Sequence, residues 1–364
     1  MNEQPATTSV VLWGTGNVGA LALAGIIDNP ALELVGVCVS TEQKNGVDAG
    51  VLAGIDREVG ILATTDVEAI LGLGAQCVVY TAMTDNRLPD ALEDIRRILA
   101  AGINVAASAP VFLQYPFDVL PADMIEPLTS AAREGNSSLW VNGIDPGFAN
   151  DLLPLALTGT CRSIEQVRCM EIIDYSTYDN ALVLFDIMGF GKPMNHTPML
   201  LQPGVLSLAW GSVVRQLAVG LGVTLDEVTE HHERLSAPDT FDVTSGSVPE
   251  GTAAALRFEV RGMIGDRAVV VLEHVTRMRA DLAPAWPQPA RGDGSYRVEI
   301  TGEPSYDLDL VPHSKIGDHN HAALVGTAMR IVNAVPAVVQ ARTGILSVLD
   351  LPLITGAGMV RPAD

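Results

Sequence analysis

Val10-Val-Leu-Trp-Gly-Thr-Gly-Asn-Val-Gly19 carries an apolar run directly onto glycines spaced G-x-G-x-x-G at Gly14, Gly16 and Gly19. That order predicts a buried strand, a tight turn and a helix. The first glycine permits the turn, the second lets the backbone approach a pyrophosphate, and the third lets the helix pack on the strand. Backbone N–H groups of Gly14, Thr15, Gly16, Asn17, Val18 and Gly19 would then hold the anion at the helix start. The spacing alone also fits an ordinary strand-to-helix turn, so the flanks decide. Residues 20–27 favour a helix, Asp28-Asn-Pro30 supplies a stop, and residues 32–40 form a second apolar run. This is the strand, helix, strand unit that a dinucleotide site requires.

The tip of the second strand sets the choice of dinucleotide. An acid there would bond the ribose hydroxyls of NAD and repel a 2′-phosphate. Here the tip reads Cys38-Val-Ser-Thr41, and Ser40, Thr41 and Lys44 offer two hydroxyls and a cation. NADP is favoured on that ground, while NAD stays open through Glu42 or Asp48.

Strand and helix keep alternating through residues 1–150, which predicts an α/β Rossmann domain, a doubly wound parallel sheet with helices on both faces. Strands are expected at 76–81, 103–107 and 138–142, and helices at 87–101 and 124–134. Ligands of such sheets lie beyond the carboxyl ends of the strands. That rule selects Thr81, Ala82, Met83, Ala107, Ser108 and Asn142-Gly-Ile-Asp-Pro-Gly147. Over residues 151–320 the rhythm breaks into an α+β domain, with strands at 166–173, 254–262, 268–278 and 296–302 and a helix at 206–221. Gly265-Asp266 marks a hairpin. One face of that sheet is left free for a second copy, so a homodimer is expected. Residues 321–364 read as a C-terminal helix and tail that pack back on the first domain.

A formal net charge of -21 opposes binding to nucleic acid. Residues 1–9 lack the basic and apolar regions of a signal peptide, no apolar run reads as long enough to span a bilayer, and a cytoplasmic protein is expected. Cys38, Cys77, Cys161 and Cys169 show no C-x-x-C, two of them lie in apolar strand-like runs, and they read as structural thiols of a reducing compartment. Asp318-His319-Asn320-His321 is the one histidine cluster that evokes a metal. It has no Cys or Glu at ligand spacing and reads instead as a polar helix start with Asp318 near the N-cap, so no metal is expected.

Several further segments fall in a shared order: Gly14-Thr-Gly-Asn-Val-Gly19, Ser40-Thr-Glu-Gln-Lys44, Asn142-Gly-Ile-Asp-Pro-Gly-Phe148 with Asp151, Phe185-Asp-Ile-Met-Gly-Phe-Gly-Lys-Pro193, and Gly326-Thr-Ala with Val332-Asn-Ala-Val-Pro336. In these the chain resembles the 2,4-diaminopentanoate dehydrogenases and native amine dehydrogenases, with dihydrodipicolinate reductase a more distant relative. The resemblance implies a Rossmann domain, a C-terminal substrate and dimerisation domain, and hydride transfer between NAD(P) and a carbon bearing an amine or its imine. It also implies that Gly14 to Gly19 hold the pyrophosphate, Ser40, Thr41 and Lys44 the adenosine ribose, and Thr81 to Met83 the nicotinamide side.

One departure bears on the chemistry. Amine-forming members carry a glutamate just after the strand equivalent to 103–107, whereas this chain reads Ala109-Pro-Val-Phe-Leu-Gln-Tyr-Pro116. A carboxylate is needed to make ammonia nucleophilic near neutral pH. Asp145 can substitute, and Lys192 and His196 can donate a proton to a carbonyl or imine. Each has a plainer role open to it: Asp145 as a helix cap, Lys192 as a loop anchor, His196 as a loop residue. Trp210 and Tyr178 read as core or pocket wall. Leu182, Leu184, Phe185, Met188, Phe190, Met194 and Met199 are expected to line an apolar pocket. The expected partner is a small ketone, imine or amine. Two alternatives remain, a carbonyl or imine reductase that uses no ammonia and a dinucleotide-binding sensor without chemistry.

Overall fold

Thr8–Trp13 (β1) is buried from Val10 to Trp13, on both faces, as a strand inside a parallel sheet must be. It pairs in parallel with Leu32–Cys38 (β2) on one side and Cys77–Tyr80 (β3) on the other. Asn104–Ala107 (β4), Ser138–Val141 (β5) and a last strand, Gly344–Leu346, continue the sheet beyond β3. Because β2 and β3 flank β1, the winding reverses at β1, and such sheets bind ligands beyond the strand ends at that reversal. The computed structural model describes residues 7–361, and the chain divides into two compact units, Met1–Ile144 with Leu324–Asp364 and Asp145–Ala323.

In the first unit the sheet is covered by Asn17–Asp28 (α1), Ala49–Ala53 (α2), Val67–Leu71 (α3), Leu88–Ala100 (α4) and Ala122–Gly135 (α5). The helix α4 is amphipathic, burying Ala91, Ile95, Ile98 and Leu99 at three- and four-residue spacings. The helix His319–Gln340 is long and apolar enough to cross a membrane, which corrects the expectation that no such run exists. Its Ala328, Ile331, Val332, Val335 and Val338 instead join Leu23, Ile26 and Trp140 in the core of the first unit. The helix packs closely at Gly25, where a Cβ would lie 2.2 Å from Met329 Cε and turn that side chain aside.

The second unit is built on Ser163–Asp174 (β6), Glu227–Ser236 (β7), the small hairpin Phe241–Val243 (β8) and Gly246–Val248 (β9), then Ala253–Ile264 (β10), Arg267–Arg277 (β11), Gly294–Glu303 (β12) and Tyr306–Leu310 (β13). The large sheet runs β13-β12-β6-β11-β10-β7, with β6 and β11 parallel and the other neighbours antiparallel. Gly265, at φ +56, turns β10 into β11 as expected. The strand β7 was not expected. Its Glu227-Val-Thr-Glu-His-His-Glu-Arg-Leu-Ser236 is polar because it forms the sheet edge, where charge deters pairing with other strands.

Leu152–Thr158 (α6) precedes the sheet, and Val205–Gly220 (α7) packs across it. Gly262 lets α7 approach: a Cβ there would lie 2.8 Å from Val214 Cγ1. Residues on the other face of the strands carry an ion-pair network. Glu273, whose side chain is fully buried, meets Arg168 and, at 2.7 Å, Arg257. Arg168 also reaches Glu259 at 2.8 Å, and Arg261 pairs with Glu259. Removing one partner strands the rest. Glu273→Ala is therefore expected to destabilise the second unit by about 3 kcal/mol, read by chemical denaturation. A loss below about 1 kcal/mol would show that Glu259 alone satisfies both arginines.

Candidate active site

The ends of three strands are stitched together around the glycine turn. Gly14 N–H donates to the Cys38 carbonyl at 2.9 Å and Thr81 N–H to the Trp13 carbonyl at 2.8 Å. The Thr81 hydroxyl donates to the Gly14 carbonyl at 2.7 Å. Gly14 has φ +96, and a Cβ on Gly19 would lie 2.1 Å from the Gly14 oxygen, so both positions demand glycine. A Cβ on Gly16 would meet nothing within 4 Å, and no side chain caps α1 at Gly16. The turn is thus closed on the protein side and open toward the helix start, the cradle that a dinucleotide diphosphate fits.

At the tip of β2, Lys44 Nζ donates to the Thr15 carbonyl at 2.8 Å and contacts its hydroxyl at 3.0 Å, which draws the lysine to the glycine turn. Ser40 and Thr41 are exposed beside it. The two nearby acids are engaged elsewhere. Glu42 accepts from Thr65 and Asn45, while Asp48 caps α2 and accepts from the N–H groups of Val59, Gly50 and Gly60. The Val59 bond leads the causes that hold the Asp48 carboxyl below its ordinary range. Ala82 and Ser108 keep part of their surface and Met83 is exposed, but Ala107 is wholly buried inside β4 and has no surface to offer a ligand.

The second unit holds a buried ionisable cluster. Register places Tyr296, Glu171, His274 and Phe258 side by side across β12, β6, β11 and β10. Glu171 Oε2 lies 2.7 Å from His274 Nε2, and Asp145 Oδ1 lies 3.5 Å from the same nitrogen. The Trp210 indole N–H donates to Asp145 at 3.2 Å and the Tyr175 hydroxyl to Glu171 at 3.2 Å. Phe258 stacks on the imidazole with ring centres 4.9 Å apart, and Trp210 meets both rings edge-on. No side chain of the three ionisable groups is more than 6% exposed.

Burial alone would push the imidazole pKa down, but the charge of Glu171, with Asp145, outweighs it and raises His274 to about 10. Burial, then the charge of Glu171, drives the Tyr175 and Tyr296 hydroxyls well above their ordinary value, so both stay protonated donors. Two carboxylates therefore share one imidazolium. The same three side chains are also ligand types for a metal ion. Ligands of a tetrahedral ion at about 2.1 Å would lie about 3.4 Å apart, and the 2.7 Å approach of Nε2 to Oε2 is instead the contact of an ion pair.

Of the expected catalytic residues, Asp145 alone belongs to this cluster. The cap of α6 falls to Asp151, whose carboxylate accepts from Leu152 N–H, and the Asp145 side chain is free to face His274. Lys192 pairs with Asp186 at 3.1 Å, both partly exposed. His196 is exposed, and its carbonyl, with that of Met194, is held by Arg234. Leu184, Met188 and Phe190 lie in the core of the second unit, which corrects the expectation that they line a pocket. Asp318 caps the helix at His321 N–H, 2.9 Å away. Glu171 and His274 were missed because both sit inside apolar strands. That was also their signal: a charged group within Val167-Arg-Cys-Met-Glu-Ile-Ile173 or Val269-Val-Val-Leu-Glu-His-Val-Thr276 must find a partner.

A diphosphate cradle on a doubly wound sheet, joined in one chain to a mixed sheet with a buried acid–imidazole cluster, defines a dinucleotide-dependent oxidoreductase. Comparison with known proteins narrows the class. The 2,4-diaminopentanoate dehydrogenase C-terminal domain matches residues 148–361. An amine dehydrogenase of Streptomyces virginiae is 40% identical over 353 residues, covering 96% of this chain and 98% of that one. A 2,4-diaminopentanoate dehydrogenase of Acetoanaerobium sticklandii is 23% identical over 358 residues, covering 94% and 93%. The solved amine dehydrogenase of Mycobacterium smegmatis shares the fold, with a TM-score of 0.78 at 20% identity over 98% of this chain and 99% of that one. The chain belongs to the 2,4-diaminopentanoate dehydrogenase and amine dehydrogenase family and is an oxidoreductase acting on C–N groups.

The raised pKa of His274 has a measurable consequence. Relative to an unfolded value of 6.5, its charge supports the folded state fully below about pH 6.5, and that support is lost as pH rises through about 10. The melting temperature is expected to fall between about pH 7 and about pH 10.5, and to fall less in His274→Gln. Equal slopes in the two proteins would show that the imidazole is not charged at neutral pH.

Proposed function

We propose that the protein interconverts a small ketone and ammonia with the corresponding amine, using NADP(H), and that Asp145, Glu171 and His274 carry its protons. The observation that supports this most is the pairing of two buried carboxylates with one imidazolium, because amine chemistry needs both a base and an acid. In the aminating direction ammonium gives a proton to Glu171 or Asp145, and the freed nitrogen adds to the carbonyl carbon. The imidazolium gives one proton to the oxygen, the added nitrogen sheds a proton to the free carboxylate, and the carboxyl protonated in the first step gives the oxygen its second proton, so that water leaves and a C=N bond forms. Bound NADPH supplies the hydride that reduces that bond. Trp210 and Tyr175 hold the carboxylates in place, and the aromatic walls keep water from competing for the protons.

On this reading the chemistry needs no carboxylate at residues 109–116, because Glu171 and Asp145 carry the protons. Lys192 and His196 fit the support of their loop better than chemistry. An ammonia-independent reductase remains the second reading, favoured by that missing acid. Turnover of a ketone panel with NADPH, with and without ammonium, separates them, and turnover that never requires ammonium installs the reductase. Glu171→Gln is expected to lower kcat by about 100-fold or more while leaving NADPH affinity within about twofold. Unchanged kcat would remove Glu171 from the mechanism.

The preference for NADP is supported by Lys44, Ser40 and Thr41 at the β2 tip and by the engagement of Glu42 and Asp48 elsewhere. Lys44→Ala is expected to weaken NADPH about tenfold and NADH by less than about twofold, measured by fluorescence titration. Equal weakening of both would assign the lysine to the turn alone. Four free cysteines support a reducing, cytoplasmic location. The strand face that carries Arg168, Arg257, Glu259 and Glu273 is the surface through which we propose the homodimer forms.

A further inference from the structure

At the carboxyl end of the first sheet, register sets Cys38, Trp13, Tyr80 and Ala107 side by side as the last residues of β2, β1, β3 and β4. Their side chains share one face of the sheet. Built on this row is a closed ring of hydrogen bonds that neither the glycine turn nor the proton chemistry uses. Arg87 Nη1 donates to the Tyr80 hydroxyl at 3.1 Å and Nη2 to Asp94 Oδ2 at 2.8 Å, while the tyrosine hydroxyl donates to the same carboxylate oxygen at 3.1 Å. Held at two points, the guanidinium plane is fixed in orientation.

The ring stands beside the glycine turn. Tyr80 leads into Thr81, whose hydroxyl donates to the Gly14 carbonyl at 2.7 Å, and Gly14 N–H reaches across to the Cys38 carbonyl at 2.9 Å. Burial pushes the Cys38 thiol up to about 12, and the charges it feels next are those of Asp94, which raises it, and Arg87, which lowers it. The ion pair therefore reaches toward the end of β2, where Ser40, Thr41 and Lys44 follow. A dinucleotide with its diphosphate on the turn after β1 and its adenosine ribose at the β2 tip carries its base to these same strand ends.

The bonding pattern decides what the arginine can offer. Tyr80 is fully buried, and the Arg87 side chain is 33% exposed against 17% for Asp94. Its charge is already matched by Asp94, so a phosphate brought to it would meet that carboxylate as well. An aromatic base meets no such conflict, because it needs only the flat cationic face.

We infer that Arg87 is the platform on which the adenine ring of the dinucleotide stacks, and that Tyr80 and Asp94 position its plane. This rests on the dinucleotide occupying the glycine turn and is independent of the choice between NADP and NAD, since the base is common to both. Lys44 discriminates between the two cofactors, and Arg87 holds either.

Fluorescence titration with NADPH and NADH, and calorimetry with ADP-ribose, which lacks the nicotinamide, test the platform. Arg87→Ala is expected to weaken all three by a similar factor of about tenfold. Arg87→Lys keeps a cation beside Asp94 but has no plane, so it is expected to weaken them nearly as much, and it decides the matter if the alanine variant does not fold. Tyr80→Phe is expected to weaken all three by about threefold, and to add nothing when combined with Arg87→Ala, because the tyrosine acts only through the arginine. Full affinity in Arg87→Lys assigns the arginine to charge alone, loss confined to NADPH assigns it to the 2′-phosphate, and unchanged affinity in Arg87→Ala removes it from the site. Each of these overturns the platform, and additive losses in the double variant overturn the role of Tyr80. Wild type that binds none of the three overturns the dinucleotide turn and the platform with it. Wild type that prefers NADH overturns the choice of NADP only, and the Arg87 comparison still decides the platform.

Discussion

A glutamate and a histidine stand directly across β6 and β11, the parallel pair at the middle of a buried sheet, and much of the second unit follows from having to keep them there. Neither charge is stable alone in an apolar interior. Each requires the other, and together they require Asp145 to balance the imidazolium, Trp210 to orient Asp145, and Tyr175 to occupy a second lone pair of Glu171. The helix α7 brings the tryptophan, and Gly262 lets α7 come close enough to do so. Packing in this unit serves a polar arrangement as much as an apolar one.

The first unit is governed by a different constraint, the geometry of a backbone turn. Thr81, Gly14 and Gly19 close around one carbonyl oxygen, and Lys44 reaches the same turn from the neighbouring strand end. The turn presents N–H groups and one cation, and few side chains are committed to it. The cluster of the second unit is instead built from side chains, those of Asp145, Glu171 and His274.

This difference explains what could be read from the sequence. The Rossmann half was legible because its signals are local: a glycine spacing, helix periods such as Ala91, Ile95 and Leu99, and short apolar strands. The hairpin at Gly265 was legible for the same reason. The strand β7 was not, because an exposed edge carries polar residues that mimic a loop. Asp145 could be found, since the end of β5 is a position where ligands gather. Glu171 and His274 could not be assigned to each other, because a register between distant strands is what brings them together. Lys192 was singled out by the segment around it, and the Asp186 pairing shows how a short motif can report on the shape of a loop. Its neighbours Leu184, Met188 and Phe190 turned out to be core for that reason.

The three glycines of the turn differ in what they answer to. At Gly14 and Gly19 a side chain collides with the protein itself, so any replacement is felt by the folding chain. At Gly16 the space is open and the backbone, at φ -77, suits any residue. Folding is indifferent to that position, and only an arriving ligand would notice a change. A side chain at Gly16 would therefore leave the fold standing and fill only the open space at the start of α1.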